Sequence, residues 1–398
     1  MAPSSSHAHD AADPSTERAY ARTGVSFAPD WSVAVDEAIE DSTAFRSSAP
    51  DLAVIFISSE WSDNYPGIIA RIRQESGCRV LVGCSASGVI SGASCHESAP
   101  GISIMALWLP NATITPLHIA TTPQSWPWGN NVDVDDVRGI CLFSDPYRAD
   151  AQNTLIGLRE SCPGVPMIGA LASAAQPNRQ AWVFLNDDIY TVGAVAITIE
   201  GPYDLLVRVS QGGTPIGEMW TMTSVDHNRI VTISNRPAVD VLHGTLNLPE
   251  NQELSVHDLM IGLPMNEYQD EFSREDFVAR GIIGTDNDGA IRVGGIPRQG
   301  QSVQFLKRNA ALASEDLDAR LHYFRTLNRP IVGGILSSCK GRGAAMFGRS
   351  NHDAKAVAEA LPDVPVAGLY SFGELAPVRG IPAYNAFAAA LGVIVERD

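Results

Sequence analysis

The sequence predicts a mixed α/β protein: two related lobes built from repeated β-α-β units, with mixed sheets and helices on the outer faces. Three observations carry that reading. An apolar strand, a helix and a second strand, followed by a glycine and a serine, recur three times along the chain. Each copy is followed by another β-rich stretch, at residues 101–109, 190–200 and 387–396. A hairpin-rich region of different character separates the second copy from the third.

Taken in order, residues 1–28 are rich in Ser, Ala, His and Asp and lack a hydrophobic signal core, so they read as a flexible arm. His7 and His9 in it are passengers, not metal ligands. The first unit has a strand at 52–58, a helix at 66–75 and a strand at 79–82 that runs into Gly83-Cys84-Ser85-Ala86-Ser87-Gly88. Trp126-Pro127-Trp128 has no basic neighbours and reads as a packing loop, not a base-stacking platform. The second unit has strand 139–143, helix 149–160 and strand 165–168, ending in Gly169-Ala170-Leu171-Ala172-Ser173-Ala174.

Residues 205–211 alternate as a strand should. Residues 219–225 and 229–234 read as a β-pair around Asp226-His227-Asn228, and a short helix begins at Pro237. Residues 279–283 and 290–293 pair across Asp286-Asn287-Asp288-Gly289, a strong hairpin signal. Residues 302–307 form another alternating strand. Ser314 and the acidic residues after it predict a helix over 314–326 capped by that serine. The main boundary falls near 235–255, giving an arm (1–28), an N-terminal lobe (29–240) and a C-terminal lobe (241–398).

The third unit is the most informative. The apolar run 331–336 ends in Ser337-Ser338-Cys339-Lys340, and Gly341-Arg342-Gly343 follows. Two glycines around an arginine free the backbone for unusual φ or close approach. Asn351 or Asp353 would cap a helix reaching about Leu361, stopped by Pro362 and Pro365. A strand at 364–369 leads to the turn Ser371-Phe372-Gly373-Glu374. Such a unit brings two polar turns to one end of a sheet, where open α/β sheets hold ligands.

Composition narrows the function. The chain has 398 residues, 45% hydrophobic and 18% charged, which describes a globular protein. A formal charge of -17 argues against nucleic acid and against anionic membrane surfaces as partners. No apolar run approaches the roughly 18 residues that span a bilayer. The six cysteines form no C-x-x-C pair and sit largely in apolar runs, which fits a reducing cytoplasm. The histidines are scattered and suggest no zinc site. No phosphate-binding P-loop and no H-E-x-x-H motif is present.

Cys339 is the sharpest single candidate. It ends a buried strand beside Lys340 and Arg342, and nearby cations favour a thiolate. It reads either as a ligand-contacting or reactive thiol or as a packed strand-end cysteine. Arg342 offers a bidentate fork for a carboxylate or phosphate, or an ion pair with Glu374. One cation and one anion in a pocket would suit an amino-acid-like zwitterion. G-C-S-A-S-G is not a nucleophile elbow, and no spacing identifies a His–Asp pair to serve it, so Ser85 and Ser87 read as hydrogen-bond donors.

The run Cys339–Gly343, then Phe347-Gly348, Asn351-His352-Asp353-Ala354, Gly368, Gly373-Glu374 and Pro377 resembles the C-terminal half of the FIST domain. Gly83 to Ile90, Gln211-Gly212-Gly213-Thr214-Pro215-Ile216-Gly217 and Asn235-Arg236-Pro237-Ala238 resemble its N-terminal half. The resemblance spans roughly residues 30 to 395. It implies a sensory domain that binds a small ligand without turnover and signals through a partner protein. One departure stands out: where that family often has a cysteine and an arginine, this turn has Gly213 and Thr214. Some members resemble haem-based nitric oxide sensors, and since single-histidine ligation needs no sequence cluster, haem stays open, as do the other cofactors.

The expected ligand would meet Cys339, Gly341, Arg342, Gly343, Ser371, Gly373 and Glu374 from one lobe, and Cys84, Ser85 and Ser87 from the other. The alternatives are a haem-based gas sensor, an enzyme using Cys339 as nucleophile, and a protein-interaction scaffold.

Overall fold

The computed structural model describes residues 18–97, 99–120, 132–174, 180–249, 256–269 and 271–397. The first unit comprises β1 (Tyr20–Ser26), α1 (Trp31–Thr43), β2 (Leu52–Ser58), α2 (Tyr65–Ser76), β3 (Val80–Ala86), a hairpin β4 (Val89–Ser91) and β5 (Ser94–His96), then β6 (Ile102–Trp108) and β7 (Thr113–Ile119). The second has β8 (Val137–Ser144), α3 (Ala151–Ser161), β9 (Met167–Leu171), a hairpin β10 (Val183–Leu185) and β11 (Asp188–Tyr190), then β12 (Ala194–Glu200) and β13 (Tyr203–Gln211). An inserted β-region follows: β14 (Gly213–Asp226), β15 (Arg229–Ile233), β16 (Arg236–Pro237), α4 (Ala238–Leu246), β17 (Leu259–Pro264), β18 (Phe277–Thr285), β19 (Ile291–Val293) and β20 (Ser302–Arg308). Helix α5 (Ala310–Arg325) leads to the third unit: β21 (Ile331–Cys339), α6 (Ala344–Phe347), α7 (His352–Ala360), β22 (Val366–Ser371), a hairpin β23 (Gly373–Val378) and β24 (Ile381–Asn385), and β25 (Ala388–Glu396).

The three units build three sheets of the same strand order: β1-β6-β2-β3-β10-β11, β7-β12-β8-β9-β23-β24 and β13-β25-β21-β22-β4-β5. Each has a parallel pair at its centre, β2/β3, β8/β9 or β21/β22, and an antiparallel return strand beside it. The hairpins are exchanged in a cycle. That of the first unit completes the third sheet, that of the second the first sheet, and that of the third the second sheet. Outer strands pass along too: β7 joins the second sheet and β13 the third, while β1 fills the matching place in the first. The arm expected over residues 1–28 is therefore corrected from residue 20 on, where seven residues pair along β6. Residues 1–17 and Trp126-Pro127-Trp128 lie outside the described residues. The expected boundary near 240 divides the sequence, but strands cross it in space through β4, β13 and β23.

The exchange explains the long apolar strands. Every residue of β2 is buried, because its two faces meet different cores. Leu52, Val54 and Phe56 enter a central cluster shared by all three sheets, with Cys141, Phe143, Ile168, Ile335 and Ile394. Ala53, Ile55 and Ile57 face α1 and α2 on the outside. β8 divides in the same way, with Ile140 and Leu142 turned towards α3. A period of two thus serves a sheet with helices on one side and sheets on the other.

The repeated glycine lies within the second strand of each unit, not after it. Gly83, Gly169 and Gly368 hold equivalent places, opposite Ile55, Leu142 and Leu336. A Cβ at any of them would collide with the facing backbone carbonyl. The repeat is therefore a steric rule of the parallel pair.

The inserted region is a seven-stranded sheet with α4 packed on it, holding its own core around Met222, Ile261 and Phe305. Its β14–β15 pair and its β18–β19 hairpin are the ones expected. Helix α5 begins four residues earlier than Ser314, capped by Asn309, whose side chain accepts from Leu312 N. Ser314 is left free for another partner.

Candidate functional site

The C-terminal ends of the three parallel pairs meet at the centre. Ser85 N bonds to Trp182 O at 2.8 Å, and Ser85 Oγ donates to Ser173 O at 3.0 Å. Ser87 N donates to Ser173 Oγ at 2.8 Å, and the hydroxyls of Ser87 and Ser173 both donate to Tyr370 O. One serine from each of two units thus ties down a strand end of the third. These serines are the donors expected, spent on the junction itself. Cys84 is not among them: it lies in β3 with its side chain in the central apolar cluster, where burial pushes the thiol up. Placing it at the ligand is corrected by the pleat, which turns it opposite to Ser85.

Beyond β21 the chain turns through Lys340-Gly341-Arg342 into α6. Arg342 is 1% exposed. Its Nε and Nη2 hold Asp353 at 2.8 and 3.0 Å, a bidentate pair. Its partner is therefore Asp353, at the start of α7, and not Glu374. Asp353 also accepts from Ser338 Oγ at 2.8 Å and faces His352 Nδ1 at 2.9 Å. His352 Nε2 lies 2.5 Å from Ser314 Oγ, and Phe347 stacks on the imidazole with ring centroids 3.6 Å apart. With Asp353 ionised, Nδ1 donates to it, and Nε2 meets the Ser314 hydroxyl. Burial pushes the Asp353 carboxyl up, but the Arg342 charge, with hydrogen bonds from His352, Arg342 and Ser338, outweighs it and holds the group well below the usual carboxylate range.

Ser314, His352 and Asp353 follow the atom order of a hydrolase triad. Arg342 nevertheless occupies the carboxylate that would support an imidazolium, so the chain reads as a positioning relay for Arg342. The expected capping role of Asn351 and Asp353 is corrected here. Asn351 precedes α7 in left-handed conformation without a side-chain cap bond, its Oδ1 facing Cys95 Sγ.

The glycines are explained by packing. A Cβ on Gly341 would strike the Phe387 ring, one on Gly373 the Tyr384 ring, and one on Gly343 the Glu97 carboxylate. Glu97 accepts from Ala344 N at 3.0 Å, so one of the protein's own carboxylates already holds this turn. Gly341, Gly343 and Gly373 permit close approach as expected, but to side chains of this protein. Gly213 is likewise filled by Met260 and Leu306.

Glu374 is fully buried in β23, opposite Ala170 of β9, and not on a turn. It accepts from Ser371 Oγ at 2.6 Å and from Ala388 N at 3.1 Å. Burial raises its carboxyl to about 8, against the lowering pull of those bonds and of Arg342. Burial, then the Glu374 charge, push the Cys339 thiol up to about 12. Of the two readings of Cys339, this favours the packed strand-end cysteine: the Arg342 field is weaker than desolvation, and Lys340 is exposed. In the folded protein Cys339 is expected to react with iodoacetamide at pH 8 no faster than Cys84 or Cys141. Fast, selective labelling of Cys339 would contradict this.

The structure thus brings Cys339, Arg342, Ser371 and Glu374 together. Ser338 O accepts from Ser371 Oγ at 3.3 Å, and Ser87 reaches the neighbouring Tyr370 carbonyl. One donor of the cluster is unspent: Arg342 Nη1 is buried without a partner among the described residues, facing Gly212 and Met346. Tyr384, Arg280, Phe387 and Arg308 close the cluster from the inserted sheet and the β24–β25 corner. Arg280 lies over the Tyr384 ring at 4.4 Å, Arg308 lies over Phe387 at 4.9 Å, and Arg308 Nη1 donates to Gly341 O at 2.8 Å. No local pattern marks these four, since only the fold makes them neighbours of this cluster.

Residues 51–236 match the FIST N domain and residues 238–377 the FIST C domain. The chain belongs to the FIST family. An uncharacterized protein of Mycobacterium tuberculosis is 32% identical over 384 residues, covering 94% of this chain and 99% of its own length. An uncharacterized protein of Mycobacterium bovis is 29% identical over 381 residues, covering 94% and 98%. FIST domains are associated with sensory signal transduction. His352 has both ring nitrogens engaged, by Ser314 and Asp353. Two cavities are each lined by no histidine. One, of 220 Å³, is treated under the further inference; the other, of 460 Å³, lies beside β8 between Arg138 and Asp204. Among the described residues, no three His, Cys, Asp or Glu side chains gather to hold a metal ion. No helix among them is long and apolar enough to cross a membrane.

Proposed function

We propose that this FIST protein is a non-catalytic small-ligand sensor of the cytoplasm that passes its signal to a partner protein. The observation that carries the reading is the unspent donor of Arg342. A fully buried guanidinium is held rigid by Asp353, Ser338, His352 and Ser314 while Nη1 stays unpaired. Buried polar groups in native proteins are nearly always paired, so an exception marks a place for a partner. Glu374 stands near it as a carboxyl that changes charge around pH 8. A ligand carboxylate on Nη1 and an amine towards Glu374 describe an amino-acid-like molecule. Six buried free cysteines support a reducing compartment.

The inserted sheet meets this cluster through Arg280 and Arg308, the latter over the Phe387 ring of the β24–β25 corner, so it is the element a ligand would bias. Native mass spectrometry of gently purified protein should show a small adduct that denaturation releases. A clean apo mass after incubation with an amino-acid mixture would contradict the reading.

A further inference from the structure

A second cavity, of 220 Å³, opens where four parts of the fold meet: β13, the 3-10 turn Arg274–Asp276 of the inserted region, α5 and the β23–β24 turn. Four arginines line it, Arg208, Arg274, Arg320 and Arg379, against two acids, Glu275 and Asp316. An excess of positive charge is a departure in a chain of formal charge -17.

Two of these arginines are incompletely used, whereas Arg379 Nε pairs with Asp276 at 2.9 Å and Arg208 lies over the Tyr323 ring. Arg320 Nη2 donates to Glu275 and, at 2.9 Å, to Asp316. Arg274 Nη1 donates to Leu312 O at 2.9 Å. The Nε atoms of both are buried without a partner among the described residues.

Gln211 supplies the third unpaired group. It is 7% exposed, and its orientation is fixed. Its backbone N donates to Asp316 Oδ2 at 2.8 Å and its Nε2 to Phe277 O at 2.8 Å. Its Oε1 is therefore turned away from both, buried and without a partner among the described residues. Gln211 opens the Gln-Gly-Gly-Thr-Pro-Ile-Gly segment, whose next residue, Gly212, lies beside Arg342 Nη1. The residues lining the cavity thus carry two unpaired guanidinium N–H donors, more arginines than acids and one unpaired amide acceptor.

We infer that this cavity binds a small dicarboxylate carrying a hydroxyl group. The carboxylates meet Arg274 and Arg320, and the hydroxyl donates to Gln211 Oε1. The volume equals about seven waters of liquid, enough for a chain of roughly four or five carbons. Such a ligand would clamp the inserted region to α5 and the third unit, because its contacts come from both.

Isothermal titration of the full chain with L-malate, succinate and sulfate tests this. Malate is expected to bind, succinate several-fold more weakly for want of the hydroxyl, and sulfate more weakly still. Arg274→Gln is expected to weaken malate at least tenfold. Arg379→Gln, at a half-exposed rim position where the guanidinium also pairs with Asp276 at 2.9 Å, should weaken malate several-fold. Glu374→Gln should leave malate binding unchanged, which separates this site from the cluster at Arg342. No heat from malate with folded protein, unchanged affinity in both arginine variants, equal affinity for sulfate, or loss of malate binding in Glu374→Gln would each overturn the inference.

Discussion

Replacing Asp353 by alanine is expected to cost about 3–5 kcal/mol of folding stability, the largest single-residue effect in this protein. Arg342 and Asp353 are 1% and 2% exposed, and the arginine is bound through two nitrogens. Removing the carboxylate leaves a buried guanidinium without its counter-charge. It also strips Ser338 Oγ and His352 Nδ1 of their acceptor. The loss arises mainly from the uncompensated cation, so the double replacement Arg342→Met with Asp353→Leu should recover much of it. Chemical unfolding of the three variants measures both effects. A loss below about 1 kcal/mol in Asp353→Ala would show that Arg342 finds water or another anion.

The second large effect concerns pH. Burial raises Glu374 from 4.5 to about 8. The folded protein therefore holds a proton there that the unfolded chain releases above pH 4.5. The stabilisation is fully present below pH 4.5 and is lost as pH rises towards 8. At about 1.4 kcal/mol per unit the window spans up to roughly 5 kcal/mol. Asp353 runs the other way, but its carboxyl is depressed, so its contribution is already complete at pH 5 and does not change in this range. Glu374→Gln removes the titration while keeping the shape. Its amide oxygen can accept from Ala388 N and its NH2 can donate to Ser371 Oγ. The variant should match the wild type near pH 5 and exceed it in stability by several kcal/mol at pH 9. Parallel stability profiles for the two proteins would show that Glu374 is ionised in the fold at neutral pH.

Much of this fold is legible in the sequence because the repeat is. The strands at residues 52–58, 139–143 and 331–336 and the helices after them read correctly as three units, while the glycines 83, 169 and 368 mark the repeat from inside the second strand and not after it. What the sequence does not carry is where the hairpins go. β4–β5 and β23–β24 are short and polar-edged, and their pairing with another unit's sheet is decided by the shared central core, not by local pattern. Register explains the misplacement of Cys84. It is one residue from Ser85, and the pleat sends it to the apolar side.

Within the site, Cys339, Arg342, Ser371 and Glu374 were readable as polar groups at strand ends. Their partners were not. Asp353 looks like a helix cap when α7 is considered alone, and Ser314 looks like one when α5 is. Both are instead drawn into the network around a cation that burial leaves no other way to stabilise. The reactive-thiol alternative at Cys339 loses ground for the same reason. A neighbouring arginine lowers a thiol only when its charge outweighs desolvation, and here desolvation and Glu374 dominate.

Titration calorimetry of single amino acids into the full chain, wild type and Glu374→Gln side by side, tests the ligand-sensor account most directly. The account predicts saturable binding of at least one amino acid to the wild type at pH 9, where Glu374 is charged, and binding at least tenfold weaker in the variant. Undiminished affinity in Glu374→Gln, or no heat from any amino acid with a folded sample, would contradict it.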